Sequence, residues 1–239
     1  MKDLFGKAIL DFQTNNHPEN LITETNISEA DEMEVAYLFR TYNQMPKIEQ
    51  KALQLSKGKI LDVGCGAGSH SLYLQEKGFD VTAIDISANA IKTCQLRGVK
   101  NAKIQNILDL DEDDNQHKFD TILLLMNGTG IFETLSQTST YLQKLKSLLT
   151  PNGQILIDSS DIIYMFDENE DGSYSIPAEG YYGELSFTVS YKNQTEAPFP
   201  WLYLDYNTLQ NMAIANGFQC ELIMEGDHFD YLARLVITI

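Results

Sequence analysis

One stretch, ILDVGCGAGSHS at residues 60–71, limits most strongly what this chain can fold into. Its first residues are typical of a buried strand, and Gly64, Gly66 and Gly68 follow at alternate positions. Glycines at such a turn let the backbone bend sharply and approach a ligand without a Cβ in the way. From Ser69 the pattern is helical, and the start of a helix offers free N–H groups and a positive dipole. The stretch predicts a strand, a ligand-binding turn and a helix in succession.

Strands and helices continue to alternate after this turn. Further strands are predicted at DVTAID, NAKIQN, KFDTILLLM and QILIDSS, with helices over 69–77, from the N-cap Ser87 to Gly98, and over 138–149. An acidic loop, DEDDNQHK, is predicted at 111–118. Such alternation predicts an α/β fold with a parallel sheet covered on both faces. Right-handed crossovers make it a doubly wound fold.

The segments on either side of this core have different patterns. Residues 1–57 are predicted to form an N-terminal helical cap, with a first short helix and a helical region over 29–55 that Pro46 interrupts. The cofactor-binding core is predicted to span 58–161. Residues 162–205 are an aromatic insertion with two antiparallel strands, and 206–239 supply a helix and a final hairpin. Because no linker separates these parts, we expect a single domain over 1–239.

The charge balance excludes several function classes. The 239 residues include 34 Asp and Glu against 17 Lys and Arg, a net charge of −17. Such a surface repels phosphate backbones and anionic membrane surfaces, so neither nucleic acid nor membrane is an expected partner. No apolar run approaches the roughly 18 residues that span a bilayer. Three widely spaced cysteines fit a reduced, cytoplasmic protein and predict no metal site.

Two acidic residues around the glycine turn discriminate between cofactors. Asp85 ends the next strand, where a carboxylate can accept hydrogen bonds from two ribose hydroxyls. A dinucleotide fingerprint would need glycine at the position of Ser69. Asp62, just before the turn, would repel a pyrophosphate but can accept from the ammonium of S-adenosylmethionine. The pattern favours S-adenosylmethionine over a nicotinamide cofactor.

Over about residues 58–160 the chain resembles the class I S-adenosylmethionine-dependent methyltransferases, on D-x-G-x-G-x-G from Asp62 and on Asp85. The resemblance implies a Rossmann-like seven-stranded sheet, mostly parallel, with an antiparallel C-terminal hairpin strand. It implies that Asp62 and the glycine turn hold the methionine part of the cofactor, and that Asp85 binds the ribose beside Ile86. Asn106 and Ile107 take the place of the pair that holds the adenine, with Asp109 as the rival assignment.

Ligands of open parallel sheets lie beyond the carboxyl ends of the strands, which adds the residues after the fourth and fifth strands to the site. The scarcity of basic residues suggests that Arg40, in the preceding helices, pairs with the cofactor carboxylate; a surface salt bridge is the alternative. The complete predicted cofactor set is Asp62, Gly64, Cys65, Gly66, Ala67, Gly68, Asp85, Ile86, Asn106, Ile107, Met126, Asn127 and Arg40.

Catalytic residues leave a weaker signal, because methyl transfer depends mainly on aligning donor and nucleophile. His70 and Asn127 are the candidates; the alternatives are a packing histidine and a tight turn. Asn127-Gly-Thr-Gly lacks the Asn-Pro-Pro-Tyr motif of enzymes that methylate amide or exocyclic amino nitrogens. The aromatic insertion, with Tyr181 and Tyr182, is interpreted as a substrate cover, a small core or a dimer interface.

These observations predict methyl transfer from S-adenosylmethionine to a small-molecule acceptor by in-line displacement. Three alternatives stay open: a nicotinamide-dependent oxidoreductase, a non-catalytic S-adenosylmethionine-binding protein, and a methyltransferase that acts on protein. The identity of the acceptor and the oligomeric state do not follow from the sequence.

Overall fold

The computed structural model describes residues 2–111 and 118–238, in which two β-sheets and six α-helices position the site. Residues 112–117 of the predicted acidic loop lie outside the described ranges. The helices are α1 (Leu4–Thr14), α2 (Lys47–Leu55), α3 (Ser69–Glu76), α4 (Ala88–Arg97), α5 (Thr138–Leu148) and α6 (Tyr206–Ala215). The strands are β1 (Leu21–Thr25), β2 (Ser28–Met33), β3 (Lys59–Val63), β4 (Asp80–Asp85), β5 (Ala102–Ile104), β6 (Phe119–Leu124), β7 (Leu149–Ser160), β8 (Glu184–Tyr191), β9 (Gln194–Thr195), β10 (Phe199–Leu202), β11 (Phe218–Glu225) and β12 (Asp230–Ile237).

The main sheet has seven strands in the order β11-β12-β7-β6-β3-β4-β5. Strands β5, β4, β3, β6 and β7 are parallel, whereas β12 runs antiparallel to β7 and β11 antiparallel to β12. The predicted doubly wound, mostly parallel sheet with an antiparallel C-terminal hairpin is therefore confirmed. The strand order reverses at β3, so the loops after β3 and β6 open onto the same crevice, where ligands of such sheets bind.

Both faces of this sheet are buried, as a parallel sheet requires. Successive residues of β6 point to opposite faces: Ile122 and Leu124 pack with α5 and α6, whereas Leu123 packs with α2 and α3. All three side chains are fully buried. This explains why β6 is an uninterrupted apolar run in the sequence.

Side chains at helix ends fix where the helices of the core begin. Ser87 accepts a hydrogen bond from the Ala90 N–H and begins α4, and Asp205 does the same for α6 through the Thr208 N–H. Gly98 follows α4 at a φ of +93°. These caps are the ones that the sequence predicts.

A second, accessory sheet has the order β10-β8-β1-β2, with β9 paired to β8. The predicted antiparallel strands of the insertion are confirmed as β8 and β10. The predicted helix from residue 29 is wrong, because residues 28–33 form β2 and the described segment between β2 and α2 contains only short 3₁₀ turns. Residues 1–57 are therefore not an all-helical cap. Strand β1 pairs with β8, at Ile22 opposite Ser190, a contact that no local pattern reveals.

The accessory sheet is anchored to the loops at the ends of β6 and β7. The Thr129 hydroxyl donates to the Leu202 carbonyl at 3.0 Å, and the Leu204 N–H donates to the Ser159 hydroxyl at 2.9 Å. Trp201 packs so closely on Gly130 that a Cβ there would lie 2.1 Å from the indole. Among the helices of the described ranges, none combines the length and apolarity needed to cross a membrane.

We expect Gly130→Ala to lower the free energy of unfolding by about 1–3 kcal/mol, because the new methyl group collides with Trp201. The measurement is chemical denaturation, with a double-mutant cycle through Trp201→Leu as the control. The Gly130→Ala penalty should shrink when the indole is absent. An equal penalty in both backgrounds would contradict this account of the anchor.

Candidate active site

The glycine turn after β3 is fastened to the end of β4. The Gly64 and Cys65 N–H groups both donate to the Ile84 carbonyl, at 2.9 and 3.1 Å. Gly66 has a φ of +52°, and a Cβ there would meet nothing within 4 Å. Gly68 instead faces packed atoms, since its Cβ would lie 2.8 Å from the Cys94 sulfur. The turn therefore has a tightly packed end at Gly68 and an open backbone surface at Gly66, which fits a ligand cradle.

Asp85 holds this turn from the end of β4. Its carboxylate accepts hydrogen bonds from the Gly66 N–H at 2.9 Å and the Ser87 N–H at 2.8 Å. Burial raises the pKa of Asp85, although these two N–H groups act in the opposite direction. A carboxylate has about four acceptor positions, so two remain for ribose hydroxyls. The neighbouring Ile86 is 61% exposed, an apolar surface open to a flat ring.

Asp62 is more deeply buried than its expected role, holding the methionine part of the cofactor, implies. Its side chain is buried and accepts a hydrogen bond of 2.5 Å from the Ser71 hydroxyl of α3. Burial raises the pKa of Asp62, against the opposing effects of His70 and Ser71. In this conformation Asp62 ties β3 to α3 beneath the turn.

The predicted adenine-binding residues lie at a 3₁₀ turn after β5. The Asn106 side chain accepts from the Leu108 N–H at 2.9 Å and so caps this turn. Ile107 is buried, whereas the rival Asp109 is exposed. Asn106 and Ile107 follow the end of β5, and Asp85 and Ile86 lie at the end of β4. Because β4 and β5 are paired parallel strands, these residues lie at the same edge of the sheet.

Arg40, Glu49 and His70 form a buried ionic cluster. The Arg40 guanidinium pairs with one oxygen of Glu49, and His70 Nε2 lies 2.6 Å from the other. The guanidinium also stacks on Tyr37, 4.1 Å from the ring centroid, and donates to the Tyr37 carbonyl. Arg40 Nε is buried without a hydrogen-bond partner. One guanidinium donor is therefore left for a ligand, and Arg40 is not the surface salt bridge of the alternative interpretation.

The cluster sets the charge of His70. Burial alone would lower the pKa of His70, but the hydrogen bond to Glu49 and the charge of Asp62 raise it above its ordinary value. Burial acts to raise the pKa of Glu49, yet His70 and Arg40 hold it below its usual range. His70 thus uses a ring nitrogen and a favoured positive charge to pair with Glu49, which makes it a poor general base.

A cavity of about 240 Å³, which we call the inner cavity, opens at the ends of β6 and β7. Its lining residues are Tyr37, Pro46, Ile48, Glu49, Met126, Asn127, Asp158, Ser159, Ser160 and Asp230. Met126 and Asn127 have left-handed φ values of +65° and +61°. Such strain in non-glycine residues collects at functional sites.

Asp158 maintains this strained loop. Its two oxygens accept from the N–H groups of Met126 and Gly128, at 3.0 and 2.9 Å. Burial raises the pKa of Asp158 to about 6. The loop holds the Asn127 side chain so that Oδ1 accepts from the Ser159 hydroxyl at 3.2 Å, while Nδ2 is buried without a partner. The Asn127 amide therefore has a donor available to a bound ligand.

Some aromatic residues of the insertion are held by hydrogen bonds within the protein, and others line a second cavity. Tyr181 and Tyr182 donate their hydroxyls to Asp205 and Asp161, at 2.7 and 2.8 Å. A cavity of about 520 Å³, which we call the outer cavity, lies between the accessory sheet and the ends of β7 and β12. Tyr164, Phe187 and Tyr203 of the insertion line it, and Ser160 and Asp230 line both cavities.

Sequence reasoning missed two residues of this site, Tyr37 and Glu49. Asp158 was among the residues selected for the site after the fifth predicted strand, and it lies near the carboxyl end of β7. No sequence pattern indicated Glu49, because its partners Arg40 and His70 lie in other elements, in the segment before α2 and in α3.

No group of metal-ligating residues occurs within the described ranges.

Comparison with known proteins agrees with this geometry. A family model described as a methyltransferase domain matches residues 54–194, more than half of the chain. A solved S-adenosylmethionine-dependent methyltransferase from Bacteroides fragilis, in complex with S-adenosyl-L-homocysteine, is 46% identical with a TM-score of 0.90, over 100% of this chain and 96% of that chain.

Two curated relatives match more distantly. A putative methyltransferase, YqeM, of Bacillus subtilis is 31% identical over 56% of this chain and 58% of its own length. The ubiquinone biosynthesis O-methyltransferase of Rickettsia prowazekii is 30% identical over 47% of this chain and 44% of its own length. The chain thus spans about half the length of the curated relatives that it matches.

The chain belongs to the methyltransferase domain family, and its fold is that of a class I S-adenosylmethionine-dependent methyltransferase. Its cofactor is S-adenosylmethionine, so the nicotinamide-dependent alternative is wrong. The residues present fit this cofactor: the open surface at Gly66, the remaining acceptor positions of Asp85, exposed Ile86 and the unpartnered donor of Arg40.

Asp158 predicts a specific pH dependence of stability. Unfolded Asp158 ionises near its ordinary pKa of 3.8, whereas the folded side chain ionises at about 6. Between these values only the unfolded state releases the proton, so rising pH favours unfolding. The measurement is denaturation of the wild type and of Asp158→Asn at several pH values. As pH rises through this window, the free energy of unfolding of the wild type should fall by about 3 kcal/mol relative to that of the variant. A difference that is independent of pH would contradict the assignment.

Proposed function

We propose that this methyltransferase acts on a small-molecule acceptor, which it holds in the inner cavity. The observation that carries the proposal is the inner cavity itself, about 240 Å³ at the strand ends, lined by the strained 126–127 backbone and by Asp158. When bound, S-adenosylmethionine supplies an electrophilic methyl group for in-line displacement. The remaining task of the protein is to orient the two reactants, which can lower the barrier by about 7–11 kcal/mol.

Each part of the cofactor has a group that can bind it. The remaining acceptor positions of Asp85 take the ribose hydroxyls, and exposed Ile86 provides apolar surface for the adenine, whereas Ile107 is packed in the core beneath. The amide of Asn106 accepts or donates at the adenine edge. Gly66 and its neighbours support the methionine part, whose carboxylate accepts from Arg40 Nε.

The inner cavity offers two groups to the acceptor. Asn127 Nδ2 is an unused donor and orients an acceptor oxygen or nitrogen. Asp158 lines the same cavity and is a carboxylate above a pH of about 6. It is the base that receives a proton from the acceptor, where the acceptor carries one, in preference to His70.

A small acceptor fits this arrangement better than a macromolecule. Pockets for small molecules have volumes of about 300–1,000 Å³, and the inner and outer cavities together fall within this range. The Rickettsia relative is also named for O-methylation in the biosynthesis of ubiquinone, a small molecule. The charge of −17 disfavours nucleic acid as the acceptor.

The role of Arg40 can be tested with two ligands that differ in the carboxylate. We expect Arg40→Ala to weaken S-adenosylhomocysteine binding by about 10- to 100-fold, the loss of a charge-assisted hydrogen bond. Methylthioadenosine, which lacks the amino acid carboxylate, should bind wild type and variant with affinities within about twofold. The measurement is calorimetric titration. An equal loss for both ligands would show that Arg40 supports the fold and not the carboxylate.

Turnover can be tested by release of S-adenosylhomocysteine over pools of small metabolites. With a productive pool, Asn127→Ala should lower the rate about tenfold and leave S-adenosylhomocysteine affinity unchanged, because one hydrogen bond to the acceptor is lost. The matched control is Asn193→Ala, an exposed asparagine in the β8–β9 turn. No release above background with any pool, despite cofactor binding, would favour the non-catalytic alternative; release only with protein would contradict the small acceptor.

A further inference from the structure

The Arg40 guanidinium is held through two of its three nitrogens. Nη1 donates to the Tyr37 carbonyl at 2.6 Å, and Nη2 pairs with Oε1 of Glu49. Nε is buried, and no residue of the described ranges accepts a hydrogen bond from it. Because a buried donor without an acceptor destabilises the folded state, the free Nε needs a physical cause.

The free Nε is unexpected beside a carboxylate. Nε and Nη2 lie side by side on one edge of the Arg40 guanidinium, and a carboxylate readily accepts from two such donors at once. The second oxygen of Glu49 that this bidentate pairing would need lies 2.6 Å from His70 Nε2. Since a carboxylate can only accept, His70 is the donor in this contact. The two oxygens of Glu49 are therefore divided between two partners, Arg40 and His70.

Three separate elements bring this cluster together. Arg40 follows the 3₁₀ turn Val35–Phe39, Glu49 lies in the first turn of α2, and His70 is the second residue of α3. Their exposed fractions are 7%, 4% and 8%, so water competes little for these hydrogen bonds. Because α3 begins directly after the glycine turn, the position of His70 is set by the same turn that forms the ligand cradle.

We propose that His70 is a positioning residue for cofactor binding. By holding Oε2 of Glu49, it prevents bidentate pairing between Glu49 and Arg40 and so keeps Arg40 Nε available for the carboxylate of the cofactor. Without a donor at residue 70, the Glu49 carboxylate turns onto Nε and Nη2 and occupies the donor that the cofactor uses. This inference rests on the proposed function in one respect, that the cofactor carboxylate binds at Arg40.

Two uncharged replacements of His70 separate its hydrogen bond from its charge. The amide of His70→Gln can still donate to Glu49, whereas His70→Leu has no donor. We expect His70→Leu to bind S-adenosylhomocysteine about tenfold more weakly than His70→Gln in calorimetric titrations of the full chain. Methylthioadenosine, which lacks the carboxylate, should bind both variants with affinities within about twofold, which also shows that both have folded. Equal S-adenosylhomocysteine affinities, or an equal loss for both ligands, would overturn the proposal.

Further variants serve as controls for this comparison. His70→Asn has an amide that is one methylene shorter than that of His70→Gln, so it should bind S-adenosylhomocysteine as weakly as His70→Leu does. The matched pair His17→Leu and His17→Gln makes the same changes at an exposed histidine, and both should bind S-adenosylhomocysteine like the wild type. If His70→Asn binds S-adenosylhomocysteine as tightly as His70→Gln, the hydrogen bond to Glu49 is not the cause and the proposal fails.

The Nε–H resonance of Arg40, assigned by its loss in Arg40→Lys, reports the same event in the wild type by nitrogen-15 NMR. S-adenosylhomocysteine should shift this resonance, and methylthioadenosine should shift it much less. In His70→Leu the resonance should already lie near its hydrogen-bonded position before any ligand is added, because Glu49 occupies Nε. A wild-type resonance that both ligands shift equally, or one that His70→Leu leaves at its wild-type position, would overturn the proposal.

The outcomes separate this inference from the proposed function. If Arg40→Ala weakens S-adenosylhomocysteine but His70→Leu and His70→Gln bind it equally, the carboxylate lies at Arg40 and only the role of His70 fails. If Arg40→Ala changes neither ligand, the cofactor assignment fails and this inference with it. The small-molecule acceptor is tested separately by release of S-adenosylhomocysteine, and its failure would leave the role of His70 in cofactor binding intact.

Discussion

Three successive backbone N–H groups fasten the glycine turn to the end of β4, and the rest of the site depends on this attachment. Gly64 and Cys65 donate to the Ile84 carbonyl, and Gly66 donates to the Asp85 carboxylate. The shape of the turn is therefore fixed by the parallel pairing of β3 with β4, a rigid part of the core. The same carboxylate of Asp85 supports the turn and keeps acceptor positions, which we propose bind the ribose hydroxyls of the cofactor.

A second constraint is the burial of charge beside the turn. Removing a carboxylate, a guanidinium and an imidazolium from water costs several kcal/mol each unless they pair. Glu49 pairs with both Arg40 and His70, which compensates this cost and fixes the orientation of the guanidinium. Tyr37 covers the other face of Arg40. The cluster thus presents one oriented donor, Arg40 Nε, and this explains why a chain with few basic residues buries one of them.

The sequence predicts local features well and distant pairings poorly. The glycine turn, the caps at Ser87 and Asp205, and the alternation of strands and helices all depend on neighbouring residues, and the structure has them. Strand β2 was predicted as helix because Met33, Tyr37 and Phe39 are spaced for one side of a helix. Its place is instead set by β1, which pairs with β8 more than 160 residues away. The two cavities were not predictable for the same reason, since their walls assemble from the accessory sheet, α2 and the ends of β6, β7 and β12.

The central claim is that the cofactor lies along the glycine turn with its sulfur facing the inner cavity. A crystal structure of the protein with S-adenosyl-L-homocysteine tests it most directly. The account predicts ribose hydroxyls within hydrogen-bond distance of Asp85, the ligand carboxylate at Arg40, and the sulfur at the mouth of the cavity lined by Asn127 and Asp158. A ligand whose carboxylate avoids Arg40, or whose sulfur points away from that cavity, would contradict the account.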